Sequence, residues 1–234
     1  MALLDTNRTV IGIINEVQRN IAVDETNFAN TNKLATVILD NLNDTITECN
    51  DYGRWPHMFR EAVVTASASV DRYELAVSAQ INNIIEIHWA NTAGEAEDVA
   101  PLRVVNVTDI RRLQKTRSFG VPRHFSVVNV SGVNPIIRVH PIPGSNENMK
   151  TFDVAFYKKQ RLFTTASADT TAVPLFDSRM LVYGTLAKTL LDESGQEATP
   201  QYTTVYQEYI RMRKEAYNRL TVDTGGDVQI TPNG

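Results

Sequence analysis

The chain has 234 residues, 42% of them of apolar type and 21% charged, with a formal net charge of −4. That length can bury a core without staples, and the acidic balance argues against a generic nucleic-acid binder. Its single cysteine, Cys49, excludes an intrachain disulfide framework and a cysteine-based zinc site. No apolar run reaches bilayer length, and Met1-Ala2-Leu3-Leu4-Asp5 has no basic-then-apolar leader, so synthesis and folding in a cytoplasm are expected. Sequons at Asn7, Asn43, Asn106 and Asn129 then read as chance in an Asn/Thr-rich chain.

Taken in order, Val10, Ile13, Ile14, Val17 and Ile21 recur at helical spacing and predict a helix over 8–22, capped by Asp5 or Thr6. A polar turn, Asp24-Glu25-Thr26-Asn27, precedes a second helix over 31–50 with the stripe Leu34, Val37, Ile38, Leu42, Ile46 and Cys49. Its expected cap is Asn30 or Thr31 and its expected stop Gly53, within the hinge Asp51-Tyr52-Gly53-Arg54-Trp55-Pro56. From Arg60 the period changes to two. Ile85, Ile87 and Trp89 alternate with Glu86 and His88, and Phe152, Val154 and Phe156 alternate with Asp153, Ala155 and Tyr157. Runs at 125–130 and 136–140 flank a turn at 131–135. This predicts an antiparallel sheet with one wet face. A short helix over 108–117, capped by Thr108, interrupts it, and polar loops at 91–100 and 143–150 read as mobile.

Pro174 predicts the opening of a third helix, over 175–193, with Phe176, Met180, Tyr183, Ala187 and Leu190 on its stripe and Gly195 near its stop. After Thr199-Pro200 a fourth, over 201–220, carries Tyr202, Val205, Tyr206, Tyr209, Ile210, Ala216 and Leu220. Residues 223–234 read as an extended tail. The expected fold is α+β: a four-helix bundle from 1–53 and 174–222, with an antiparallel β-rich domain inserted over 54–173.

The chemistry is sparse. No glycine-rich phosphate loop, nucleophile elbow or HExxH motif occurs. His57, His88, His124 and His140 are scattered, Ser67 and Ser69 sit in a small polar stretch, and Glu95, Glu97 and Asp98 fall in a Gly/Ala loop. Cys49 lies on an apolar face as a small core residue. The expectation is no catalysis, no cofactor and no metal. Charge says more: residues 1–53 hold eight acidic and three basic side chains, whereas 103–124 hold Arg103, Arg111, Arg112, Lys115, Arg117 and Arg123 against Asp109 alone. The basic segment is either a solvated face or a contact, with DNA or with the acidic face of a neighbouring copy. Arg211, Arg213, Lys214 and Arg219 add positive charge to the last helix, Tyr202, Tyr206 and Tyr209 suit a bundle core or an interface, and Val228 and Ile230 give the tail strand propensity.

Several features together resemble the head-to-tail adaptor (connector) proteins of short-tailed bacteriophages. These are the paired N-terminal helices, the Trp55-Pro56 link, Tyr73-Glu74-Leu75, Pro101-Leu102, His140-Pro141-Ile142-Pro143, the helix 181–187 and the tyrosine-rich helix 202–213. The resemblance covers nearly the whole chain. It implies a virion protein at the portal vertex: a homo-oligomeric ring, usually of twelve copies, beneath the portal protein. Such a ring extends the DNA channel, passes close to genomic DNA and presents a platform to the tail nozzle and tail fibres, with no membrane partner. A tail-nozzle or other tail ring protein is the alternative, followed by a hydrolase or a nucleic-acid-binding module. The subunit or portal interface is expected at Arg111, Arg112, Lys115, Arg117, Tyr202, Tyr206, Tyr209, Arg211, Arg213, Lys214, Val228 and Ile230.

Overall fold

The computed structural model describes residues 8–21, 33–75, 81–92, 95–96, 101–128 and 135–223. In chain order its elements are α1 (Val10–Asn20), α2 (Lys33–Tyr52), β1 (Phe59–Thr65), β2 (Arg72–Glu74), β3 (Ile81–Thr92), β4 (Glu95–Ala96), β5 (Arg103–Val104), α3 (Val107–Gln114), β6 (His124–Val128), β7 (Ile136–His140), β8 (Thr151–Lys158), α4 (Ser167–Thr170), α5 (Ser178–Glu193) and α6 (Pro200–Asp223). The fold is α+β. The chain divides into two compact units, Met1–His57 with Gln160–Gly234, and Met58–Lys159. Residues 160–173 therefore belong with the helices.

In the helical unit α5 is central, and α1, α2 and α6 each pack on it. Its burial explains its weak amphipathicity. Met180, Leu181, Val182, Gly184, Thr185, Leu186, Ala187 and Thr189 are all buried, so apolar residues occupy most of its circumference. The stripes of the neighbours close on it: Val10, Ile13, Ile14 and Val17 from α1, Ile38, Leu42, Ile46 and Cys49 from α2, and Tyr209 from α6. Trp55 is anchored here too. Its indole N–H donates to the Cys49 carbonyl at 2.7 Å, and its ring meets Phe176 and Tyr217 edge-on, with centroids 5.1 and 5.2 Å away.

The helix starts differ from the sequence expectation, each for a local reason. Thr9 caps α1, its hydroxyl accepting from the Gly12 N–H, while the expected caps Asp5 and Thr6 lie outside the described residues, as do Asn30 and Thr31. Pro174 does not open α5. Asp177 caps it by accepting from the Met180 N–H at 2.9 Å, leaving Pro174 in the preceding turn. The proline-first rule applies instead one helix later, where Pro200 starts α6 behind the Thr199 hydroxyl.

The β-rich unit holds two four-stranded sheets, ordered β1-β8-β3-β4 and β2-β7-β6-β5. The pairing is antiparallel, as expected, except that the short β5 runs parallel to β6. The cause is α3. Parallel neighbours need a crossover, and this helix supplies it between β5 and β6. It runs over Val107–Gln114 with Asn106 as cap, not over 108–117 from Thr108. Both sheets feed one core, including Tyr73, Trp89, Phe125, Ile137, Val139, Phe152 and Phe156. A register shift between Ile84 and Glu86 puts Ile84, rather than Ile85, against that core. The segment 143–150, read as mobile, is tied down: the Gly144 N–H donates to Glu147 at 3.0 Å and the Ala68 N–H to Asn148 at 3.1 Å. Most of 91–100 and of the turn 131–135 lies outside the described residues.

Candidate functional site

The basic segment forms an exposed ridge on and around α3 in the β-rich unit. The Asn106 side-chain oxygen accepts from the Asp109 N–H at 2.7 Å and starts α3. Asp109 lies in its first turn and Arg111 and Arg112 in its last, the order the helix dipole favours. Ile110 is fully buried and fixes the roll of the helix, which leaves Arg111, Arg112, Lys115 and Arg117 exposed. Arg103 and Arg123 are exposed as well, and among the described residues none of these six cations enters an ion pair. The local field is positive enough to act on Arg138, whose pKa is lowered by burial and then by Arg72 and Arg111.

An apolar knob adjoins the ridge. Phe119 is 56% exposed, with the half-exposed Val121 beside it. The loop that carries them is pinned by two backbone bonds, Gly120 N–H to the Ile142 carbonyl and Ile142 N–H to the Ser118 carbonyl, both 2.9 Å. Nearby, His124 and His140 are partners in the β6–β7 register and line a cleft of about 500 Å³ with Phe119, Val121 and Arg123. The His140 pKa is lowered, by burial first and by His124 second.

The last helix divides the expected interface residues. Tyr202 and Tyr206 stack at 5.5 Å on the half-buried side of α6, and Lys214 is exposed. Arg211 is engaged by Glu208 and Glu215 of its own helix, which raise its pKa. Tyr209 and Arg213 serve the interior of the helical unit. The Arg213 guanidinium lies 4.4 Å over the Tyr52 ring and 5.1 Å over the Tyr209 ring, with Glu48 at 3.6 Å. The Tyr209 hydroxyl, fully buried, donates to Glu48 at 3.3 Å and lies 3.5 Å from the Cys49 sulfur. Burial pushes the Cys49 thiol up to about 11, so it is an inert core residue. Val228 and Ile230 lie outside the described residues.

The acidic counterpart is on α2. Asp40 and Asp44 are exposed, on the side opposite the stripe Ile38, Leu42 and Ile46, and among the described residues neither enters an ion pair. Glu48, one turn further, is already neutralised by Lys188 and Arg213. The four-residue spacing of these acids was visible in the sequence, but not which of them the fold would consume. A cleft of about 640 Å³ among α1, α5 and α6 has mixed charge, with Arg8 bonded to Glu16 at 3.2 Å. Among the described residues no group of three His, Cys, Asp or Glu is placed to hold a metal ion, and no helix is long and apolar enough to cross a membrane.

No family model matches the chain, and no curated protein matches it. Among solved structures the chain is similar to one from the "Neck of empty GTA particle computed with C6 symmetry", at 13% identity and a TM-score of 0.27, over 89% of this chain and 92% of that one.

Proposed function

We propose that the protein is a structural component of a phage-like particle: a head-to-tail adaptor whose copies form a ring beneath the portal, extend the DNA channel and hold the tail. The observation that carries this reading is the segregation of charge between the two units. Residues 58–159 hold ten acidic and twelve basic side chains, and the rest of the chain seventeen acidic and eleven basic. Each unit also displays exposed charges of its own sign that the described residues leave unpaired, Arg111, Arg112 and Lys115 on one and Asp40 and Asp44 on the other. Surfaces of opposite sign at different places on one chain favour head-to-tail contact between copies. Such contact closes into a ring when the rotation permits.

The test is direct. The chain is tagged in cells producing the particle, and purified particles are imaged with a label on the tag. The expected result is a single labelled vertex, and a ring on isolated portal when the two proteins are mixed. Label spread over the capsid, or absent from particles, overturns the reading. Label that leaves with detached tails, and never stays on portal, selects the tail-nozzle alternative. The exposed Lys214 and the segment 223–234 are the proposed portal-facing part. Deleting 222–234 is expected to leave a folded chain with weaker portal binding, and undiminished binding removes the segment from the contact.

A further inference from the structure

We propose that helix α3 and the Phe119 loop of one copy dock on the outer face of α2, and on Leu162, of the next copy. The inference rests on the ring reading and names its contact.

The two surfaces match in sign, spacing and shape. Arg111 and Lys115 stand four residues apart, as do Asp40 and Asp44, so each pair repeats at about 6 Å along its helix. All four side chains are exposed, and among the described residues none has an ionic partner. Phe119 supplies an exposed aromatic knob on a loop already ordered by backbone bonds, so little freedom is lost on docking.

The apolar counterpart is set beside the acids. Leu162 is 48% exposed. Its neighbour Phe163 is clasped by Asn43, whose side chain donates to the Phe163 carbonyl and accepts from the Phe163 N–H, both at 2.9 Å. Asn43 is three residues from Asp40 and next to Asp44, so the clasp holds Leu162 at the flank of the acidic face. The one cation on that segment, Arg161, is neutralised by Asp169 at 2.6 Å.

The basic patch repels its own copy and the acidic face repels its own copy, so each patch seeks the other patch on a second copy. Made once per pair, as the ring reading requires, the contact leaves one free patch of each sign, and the chain of contacts propagates until it closes; a closed dimer that makes it twice is the outcome that sedimentation and native mass spectrometry distinguish.

The experiment uses the full chain in low salt, with assembly followed by sedimentation velocity and native mass spectrometry. Arg111→Glu with Arg112→Glu, and separately Asp40→Lys with Asp44→Lys, are each expected to raise the concentration needed for assembly by roughly tenfold or more. Mixed one to one, the two variants are expected to assemble again, because every contact in an alternating ring then joins opposite charges. Phe119→Ser is expected to weaken assembly at low and high salt alike, unlike the charge changes, whose effect salt screens. Circular dichroism confirms folding of each variant. Wild-type assembly by Arg111→Glu/Arg112→Glu, or failure of the mixture to recover while the wild type forms rings, overturns this contact and leaves the ring reading standing. A wild-type chain that stays monomeric alone and on isolated portal overturns both.

Discussion

Gly184 shows how tightly the helical unit is closed. A methyl group there would collide with the Thr45 methyl of α2 and lie 2.9 Å from the Tyr209 ring of α6, so glycine is what lets three helices meet. Gly184→Ala is expected to cost about 1–3 kcal/mol, the usual range for overpacking a core. Denaturant unfolding checks it, and adding Thr45→Ser, which removes the colliding methyl, is expected to return part of the loss. His140 gives a second test. Its pKa is depressed from the ordinary 6.5, so the folded chain resists a proton that the unfolded chain accepts. The stability this residue contributes is therefore complete above about pH 6.5 and is lost as pH falls through the window between the ordinary and the depressed value. The groups facing it are His124 on β6 and the neighbouring Arg123, neither of which favours a second positive charge. His140→Gln is expected to flatten the slope of stability against pH below 6.5, and an unchanged slope assigns the effect elsewhere.

At the scale of elements, side-chain amides do work that helical periodicity does not reveal. Asn43 clasps Phe163, and Asn50 clasps Gln160, donating to its carbonyl at 3.0 Å and accepting from its N–H at 2.9 Å. Together they stitch the segment 160–163 onto α2. Asn43→Ala strands a part-buried N–H and carbonyl and is expected to cost about 1–3 kcal/mol. It should also open residues 160–166 to protease, so unaltered digestion there would show the clasp to be dispensable. Asn43 and Asn106 also explain two of the four sequons, since one asparagine is a clasp and the other a helix cap. The long elements were legible in the sequence for two reasons: α1 and α2 carry regular apolar stripes, and α5 and α6 are long runs set off by Asp177, Gly195 and Pro200. The errors came where a local competitor won. Asp177 outranked Pro174 as the start of α5, and a bulge in β3 moved Ile84 inward in place of Ile85. The parallel pair β5–β6 was not legible, because two-residue strands carry no period to read. In the candidate site the positions of the charges could be read, but not their fates: Arg111 stays unpaired among the described residues, while Arg213 is consumed by Tyr52, Tyr209 and Glu48.

For the whole molecule, the division into two units has a thermodynamic consequence. Residues 58–159 bury Trp89, Phe125, Phe152 and Phe156 in a core built from both sheets, and the helical unit buries Trp55 with Phe176 and Tyr209. The chain has two tryptophans, and they fall one to each unit. Each is nearly or fully buried, so its fluorescence reports the unit that holds it. Units with separate cores need not melt together, and a single two-state transition is then the wrong description. Trp55→Phe leaves the signal of Trp89 and should follow the β-rich unit, whereas Trp89→Phe leaves Trp55 and should follow the helices. We expect different denaturant midpoints from the two variants, while circular dichroism of the unmodified chain spans both. The helical unit is expected to report the loss from Gly184→Ala, and the β-rich unit the pH dependence of His140. Each large-ring replacement disturbs its own unit, so the decisive comparison is the surviving tryptophan, which sits in the untouched one. Coincident midpoints for both signals, shifted equally by Gly184→Ala, would mean that the chain folds as one cooperative body. In that event the β-rich segment would depend on the helices for its stability, and residues 58–159 expressed alone should fail to show the near-ultraviolet signal of a packed Trp89.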